Sequence, residues 1–590
     1  MTKCPNCGAN YESGRKCEHC GSIVNPNYME TKPDVKKKPT GAIIAVLVVV
    51  AIVAGVIIKG AMPAPVLDYN GARKKLEGVY NKIGVQTVAP VKGSADLSVP
   101  DIREALPPID KYPCQVESMA AETIEIFSST EKAGTGVDGW LCEMAEGFNA
   151  TAPTAGGLSA GVNIRGISSG VGYDYIASGK YMPDAFSPSN ELWGKMLAAR
   201  NINVTLAEKR LCGNVAGVLL SKAKNQTFID QYGEVTVKNI SEAVEKGGLA
   251  MGYTNPFASS AGLNYLVSTL CAFDAADPLS QTAVTAFEKF QKNVPFVAYT
   301  TIQMRDSAAS GVLEGFILEY QTFENLPEIK RDYVFTPFGM RHDSPVYEIG
   351  ELSETKKDIL RQFIAYCLTA ESQAAATSYG FNRLDEYAGT LYDLPDATVA
   401  SAQKVWKEKK NAGADVAAVF VADVSGSMEG PRINQLKESL LQGSTYIGSN
   451  NYVGLVTFDH NVYLNLPLGK FDINQRALFA GTVDSLQPGG TTAMFDGIAA
   501  GLKMLADFKE QNPGVKPMLF VLTDGETNHG NTFERMEPII RGMSVPVFTI
   551  GYEADVNILS RVSKINEAAN INADTQDVVY TLGNLFNAQM

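Results

Sequence analysis

The sequence predicts an α/β protein with at least two domains built on largely parallel sheets. Three observations predict this. Short apolar runs bounded by turn residues, such as 416–423, 452–458, 518–524 and 545–550, alternate with stretches of helical spacing. The same alternation begins separately near residue 122, with strands expected at 123–127, 161–166, 215–221, 249–254, 296–299, 315–320 and 333–338 and a long helix at 356–379. Several runs end in Asp, Ser or Thr, which puts polar side chains at strand carboxyl ends, where open α/β sheets place their ligands.

The 590 residues are 45% hydrophobic and 19% charged, enough for several cores. The net charge of −13 argues against general nucleic-acid binding. Four of the nine cysteines fall in the first twenty residues, as Cys4-Pro-Asn-Cys7 and Cys17-Glu-His-Cys20. Two C-x-x-C knuckles with a short spacer can set four thiolates tetrahedrally around Zn²⁺, so residues 1–24 are expected to form a closed, structural zinc site at Cys4, Cys7, Cys17 and Cys20. The stretch resembles the small zinc ribbons at the N-termini of many bacterial membrane proteins. The competing reading is a pair of disulfides. The other five cysteines are scattered and odd in number, so at least one is free or pairs between chains, and Cys142, Cys212, Cys271 and Cys367 sit in apolar patterns and read as packed rather than reactive.

Residues 25–40 are a polar linker ending in Lys36-Lys37-Lys38. Residues 42–58 are an unbroken apolar run, and the segment 41–62 reads as a single transmembrane helix. The preceding lysines put the N-terminus in the cytoplasm and the bulk of the chain outside. A buried core helix and a cleaved signal peptide are the alternatives. Residues 63–119 read as a tether with helical spacing at 68–82, and residues 391–413 as a helical connector.

In the middle region, 120–390, hydroxyl-rich strand ends lead into helix starts, which suits a polar or anionic solute. The stretches Tyr173-Asp-Tyr-Ile-Ala-Ser-Gly, Ala185-Phe-Ser-Pro-Ser-Asn-Glu-Leu-Trp193 and Thr254-Asn-Pro-Phe-Ala-Ser-Ser resemble extracellular solute-binding proteins of the periplasmic-binding type. The resemblance implies two α/β lobes about a cleft. By position, Ser128, Ser129, Thr254, Asn255, Ser259 and Ser260 face that cleft, although Ser259 and Ser260 also fit as helix N-caps. His342 is the region's one histidine and reads as a loop residue without an acidic partner.

The last domain, 414–590, holds the sharpest pattern. Asp423-Val-Ser425-Gly-Ser427 follows an apolar run, Gly489-Gly490-Thr491-Thr492 is a glycine-bent loop before a helix, and Thr523-Asp524-Gly525 ends another strand. Adjacent strand ends lie about 5 Å apart, so the three loops can meet on one hard cation, Mg²⁺, Mn²⁺ or Ca²⁺. The ensemble resembles the von Willebrand factor type A (vWA) domain, a doubly wound, Rossmann-like fold. Its metal-ion-dependent adhesion site, D-x-S-x-S then T then D, maps onto Asp423, Ser425, Ser427, Thr492 and Asp524. The resemblance implies capture of a partner protein's carboxylate through the metal. Asp459 and His460 read as turn residues, and no catalytic constellation accompanies them. The expected function is a membrane-anchored surface adhesion protein with a solute-binding module. The alternative is a solute receptor for an ABC-type transporter, or a transmembrane sensor.

Overall fold

The computed structural model describes residues 2–4, 6–7, 10–11, 67–94, 101–294, 296–298, 304, 313–411, 414–525, 527–552, 556–565, 570–573, 580, 582–583 and 585–586. The chain divides into two units, Met1–Pro65 and Val66–Met590. In the first, β1 (Thr2–Lys3) pairs antiparallel with β2 (Asn10–Tyr11). Cys4 there is buried and Cys7 exposed. The other two cysteines of the expected zinc site, Cys17 and Cys20, lie outside the described residues.

The single-pass membrane arrangement is corrected. Among the described residues no helix is long and apolar enough to cross a membrane. The longest, Met494–Gln511, carries charges at Asp496, Lys503, Asp507, Lys509 and Glu510 and lays its apolar side on a sheet. The apolar run 42–58 lies outside the described residues.

The second unit holds three sheets. Lobe one of the middle region has the order β4-β7-β5-β8-β15-β9, with β6 on β7. Its strands are β4 (Cys114–Val116), β5 (Glu122–Ser128), β6 (Thr154–Ala155), β7 (Leu158–Gly166), β8 (Ala185–Ser187), β9 (Val204–Glu208) and β15 (Val346–Ile349). Lobe two has the order β12-β11-β13-β10-β14, from β10 (Val215–Ser221), β11 (Met251–Thr254), β12 (Phe296–Ala298), β13 (Gly315–Glu319) and β14 (Tyr333–Arg341). The chain thus leaves lobe one after β9 and returns to it at β15, giving a two-lobed α/β body. The long helix expected at 356–379 is two helices, Glu354–Cys367 and Ala370–Ser378. Thr369 breaks it by accepting from Ser372 N with its side chain, an N-cap that restarts the helix.

The third sheet is doubly wound: β21-β20-β19-β16-β17-β18-β3. It comprises β16 (Val416–Asp423), β17 (Tyr452–Phe458), β18 (Val462–Lys470), β19 (Lys516–Thr523), β20 (Val547–Tyr552), β21 (Asn570–Ala573) and β3 (Val85–Thr87). All neighbours run parallel except the β17–β18 hairpin. Successive β16 side chains serve opposite faces, as the pleat requires. Ala417, Val419 and Val421 enter one core, and Val416, Ala418, Phe420 and Ala422 the other.

β3 belongs to the stretch read as a tether. Residues 67–94 are instead part of the C-terminal domain. The helix Tyr69–Tyr80 starts at Asp68, whose side chain accepts from Gly71 N. It buries Ala72, Leu76 and Val79 in the core beneath β16, at the three- and four-residue spacing of one helix face. β3 then pairs with β18, Val85 opposite Val462. Val91 N donates to Thr482 Oγ1 at 3.0 Å and Gly93 N to Ala477 O at 2.8 Å. The two-lobed body is therefore inserted into the doubly wound domain.

The described part of the connector is mainly one helix. Its helix, Asp396–Lys409, straps both lobes. Val399 packs in a cluster with Phe186 and Trp193 of lobe one, while Ala402 and Trp406 pack with Tyr253 and Phe290 of lobe two. Trp406 Nε1 donates to Tyr253 Oη at 2.7 Å and Gln403 Nε2 to Pro256 O at 2.8 Å. Trp406→Phe removes that donor from a fully buried site and is expected to cost about 1–3 kcal/mol, read by denaturant unfolding. An unchanged midpoint would show that the strap does not depend on this bond.

Candidate functional site

β16 lies where the strand order reverses, with β17 on one side and β19 on the other, so a crevice opens at its carboxyl end. Four of the five residues expected to hold a cation are buried there: Asp423, Ser425, Thr492 and Asp524. Ser427 is exposed at the mouth. Asp423 Oδ1 accepts from Ser425 N at 2.8 Å, an Asx turn that bends the chain off the strand. Ser425 Oγ and Ser427 Oγ lie 3.0 Å apart. The glycine-bent loop is tied to the same turn, since Gly426 N donates to Gly490 O at 3.0 Å and Gly489 N to Val424 O at 2.8 Å. Thr492 N donates to Asn528 Oδ1 at 2.9 Å, and Thr492 O accepts from Asn528 N and His529 N, each at 3.1 Å. The three predicted loops therefore converge.

Several residues that organise this site went unread in the sequence. Thr523 Oγ1 donates to Asp423 Oδ2 at 2.5 Å and accepts from Gly525 N at 3.1 Å, joining the ends of β16 and β19. Asp496, in the first turn of the helix Met494–Gln511, accepts from Asn531 N at 2.9 Å and Asn531 Nδ2 at 2.5 Å. Gly530 sits at φ +78° beside it, and a Cβ there would stand 2.3 Å from Asp496 Oδ2. The position accepts only glycine without strain. Thr523 was legible as a second hydroxyl next to Asp524, whereas the Asp496 contact depends on a loop fold that spacing does not encode.

Electrostatically the site is acidic and confined. Burial pushes the Asp423 carboxyl up to about 6, against the pull of hydrogen bonds from Ser425 and Thr523 and with a further rise from Asp524. Asp524 Oδ1 is buried and accepts no hydrogen bond among the described residues. Asp524 Oδ2 is 3.8 Å from Arg432 Nη1, which also donates to Ser427 O at 2.9 Å. In the neighbouring hairpin Asp459 and His460 form a turn, as expected. Asp459 Oδ1 accepts from Asn461 N at 2.6 Å, and Asp459 O accepts from Ala493 N at 2.8 Å. Among the described residues no group of three or more His, Cys, Asp or Glu could hold a metal, and the crevice itself offers two carboxylates plus hydroxyls.

The expected solute residues behave less uniformly. The lobes meet over a cavity of about 20 Å³ lined by Thr130, Glu131 and Ser169 of lobe one and Ser259, Ser260 and Glu319 of lobe two. A volume that small holds about one water. Ser128, Ser129, Thr254 and Asn255 are buried beside the cavity but do not line it. Asn255 Oδ1 accepts from Phe257 N, Ser259 Oγ accepts from Thr254 Oγ1 and Gly262 N, and Ser129 Oγ accepts from Lys132 Nζ. Ser260 Oγ accepts from Trp193 Nε1 across the lobe seam. Ser128 Oγ, and Ser187 Oγ opposite it on β8, are buried with no hydrogen-bond partner among the described residues. The seam is tight at Gly170, whose N donates to Ala258 O at 3.2 Å and where a Cβ would meet Phe257 O at 2.0 Å. Glu131, Asp138 and Glu319 line the cavity and, among the described residues, no Lys or Arg does, so of the polar or anionic solute expected from the sequence the lining fits the polar one better.

His342 is fully buried, not a solvent-facing loop residue. Asn190 Nδ2 and Asn264 Nδ2 both approach its Nε2, at 3.2 and 3.1 Å, so Nδ1 carries the proton and donates to Glu319 Oε1 at 2.8 Å. Burial pushes the Glu319 carboxyl up, while His342 pulls it down. Burial likewise pushes the Cys212 thiol up to about 12, and the thiols of Cys114, Cys142 and Cys271 to about 11, as packed cysteines require.

Residues 418–587 match the family model of the von Willebrand factor type A domain, and residues 133–382 that of bacterial extracellular solute-binding protein. The chain therefore carries a vWA domain and a bacterial solute-binding domain. Inter-alpha-trypsin inhibitor heavy chain H3 of Bos taurus is 27% identical over 150 residues, covering 24% of this chain and 16% of that protein. The uncharacterized protein sll0103 of Synechocystis is 25% identical over 135 residues, covering 22% and 31%. The chain spans well under half the length of these curated relatives. Among solved structures, a von Willebrand factor type A protein from Catenulispora acidiphila overlaps at TM-score 0.27 and 18% identity, covering 30% of this chain and 42% of that one. Iron-bound HitA from Pseudomonas aeruginosa overlaps at TM-score 0.35 and 11% identity, covering 49% and 99%. Strand order and the two family matches, not these overlaps, define the fold.

Proposed function

We propose that the protein is a binding protein whose vWA crevice holds a divalent cation, Mg²⁺ or a close analogue, and uses it to capture a carboxylate of a partner protein. The observation that carries this reading is Asp524 Oδ1, buried without a hydrogen-bond donor among the described residues where the Asp423, Ser425, Ser427 and Thr492 loops meet. An orphaned carboxylate oxygen inside a fold is costly unless something positive meets it. Two carboxylates and three hydroxyls form a hard oxygen set that suits Mg²⁺, Mn²⁺ or Ca²⁺. When bound, the ion supplies an electrophile at the mouth of the crevice. The chain's own contribution is to hold the loops: Thr523 and Ser425 fix Asp423, and Asn528 fixes Thr492. This is binding, not catalysis. At the N-terminus, Zn²⁺ on Cys4, Cys7, Cys17 and Cys20 is supported by cysteine spacing.

The solute-binding module is a second recognition site for a small polar solute, neutral or cationic given its acidic lining. Titration of the full chain with MgCl₂ or MnCl₂ against a chelator tests the first site. A saturable rise in melting temperature, reversed by chelator, is expected, and no shift with any divalent ion would remove the cation from the reading.

A further inference from the structure

A second recess lies at the seam between the inserted module and the vWA domain, at the opposite end of β19 from the crevice. Its volume is about 250 Å³. Four lysines line it: Lys292 and Lys410 from the module side, Lys509 and Lys516 from the vWA side. Among the described residues no Asp or Glu lines it, in a chain with 64 acidic residues against 51 Lys and Arg. Trp406, Met518 and Val515 form an apolar wall. Lys410 is 5% exposed and stands 5.6 Å from the Trp406 ring centroid. Among the described residues Lys292, Lys509 and Lys516 form no ion pair with a carboxylate; the neighbouring Lys409 does, with Glu288 at 3.1 Å.

A bland account is available for part of this. Lys292 and Lys509 lie in the last turns of their helices and Lys410 caps a third, where cations offset the partial negative charge of free carbonyls. Each helix end supplies roughly half a negative charge, so, leaving Lys410 aside, the two helix ends at Lys292 and Lys509 offset about one of the three charges on Lys292, Lys509 and Lys516. A surplus of about two positive charges remains in a confined, half-apolar space. Burial pushes the Lys410 and Lys516 ammoniums down from their usual range, which marks charge that the recess by itself does not stabilise.

We infer that this recess binds a small phosphate compound carrying about two negative charges and an apolar body, held by Lys292, Lys410, Lys509 and Lys516 with the body against Trp406 and Met518. Such an occupant bridges the two domains, since its lysines come from both. Ammonium groups in a fixed cluster suit phosphate as point charges, and the recess is too small for a polymer chain.

The test is calorimetric titration of the full chain with phenyl phosphate, inorganic phosphate and inorganic pyrophosphate, with sulfate at matched ionic strength as the control. Phenyl phosphate is expected to bind at least about tenfold more tightly than sulfate and more tightly than inorganic phosphate. The exposed and half-exposed positions permit Lys292→Gln and Lys509→Gln without unfolding, which a melting curve verifies. The double variant is expected to weaken phenyl phosphate at least about tenfold while leaving Mg²⁺ binding at Asp423 unchanged. Equal binding of phenyl phosphate and sulfate, or wild-type affinity in the double variant, would overturn the inference.

Discussion

Asp423→Ala is expected to lower Mn²⁺ affinity at least about 100-fold, about 2.7 kcal/mol, measured by calorimetry or by the spin signal of free Mn²⁺. The variant should fold. Asp423 is a carboxylate that its surroundings push up to about 6, so the fold resists its charge, and alanine removes that charge along with the bonds from Ser425 N and Thr523 Oγ1. Loss of binding with a near-native melting curve therefore separates a cation ligand from a structural prop. Asp415→Asn, just before the other end of β16, is the matched control. Among the described residues its side chain accepts only from Asn450 Nδ2, at 3.1 Å, and the variant should bind Mn²⁺ as the parent does. Wild-type affinity in Asp423→Ala would end the proposal for this crevice.

Leu76→Asp is expected to destabilise the vWA domain by at least about 5 kcal/mol, although the sequence placed it in a tether where it would do nothing. Leu76 is fully buried in the core under β16, and a carboxylate there has no partner within the apolar cluster. Lys75→Asp, one residue away and exposed, should stay within about 0.5 kcal/mol of the parent. The chain supplies its own discriminating probe. All three tryptophans, Trp140, Trp193 and Trp406, pack in the inserted module and its strap. Circular dichroism should thus show an early vWA transition in Leu76→Asp while tryptophan fluorescence melts as before. An unshifted dichroism curve would mean that residues 67–94 do not belong to the sheet.

What the sequence disclosed follows from range. β10, β16 and β17 appear where expected because a strand buried on both faces is a contiguous apolar run that needs no distant information, whether its neighbours run parallel, as at β16, or antiparallel, as at β10. The five crevice residues were readable because each sits at a strand end or a glycine turn, so topology alone brings them together. β3 was not readable. Three residues, Val85–Thr87, with a half-exposed burial pattern carry too little periodicity to show as a strand, and their partner β18 lies across the whole inserted module. The solute cleft was legible only in part, at Ser259 and Ser260, for a related reason. Thr254, Asn255 and Ser259 sit in a turn-and-cap arrangement that uses the same residue types as a binding site, and only the hydrogen bonds tell the two apart. His342 illustrates the same point, since Glu319, Asn190 and Asn264 reach it from different elements.

The insertion also sets a timetable for the nascent chain. Val91 and Thr482 bond across 391 positions. At translation rates of about 5–20 residues per second, roughly 20–80 s separate the emergence of the helix Tyr69–Tyr80 from that of its partners. Through that interval Ala72, Leu76 and Val79 have no core to enter, while the module between them can already collapse on its own contacts. Closure of the vWA sheet therefore comes after the inserted module has emerged. A ribosome-bound chain stalled before residue 482 should expose the Leu76 face to proteases and chaperones that the finished protein excludes.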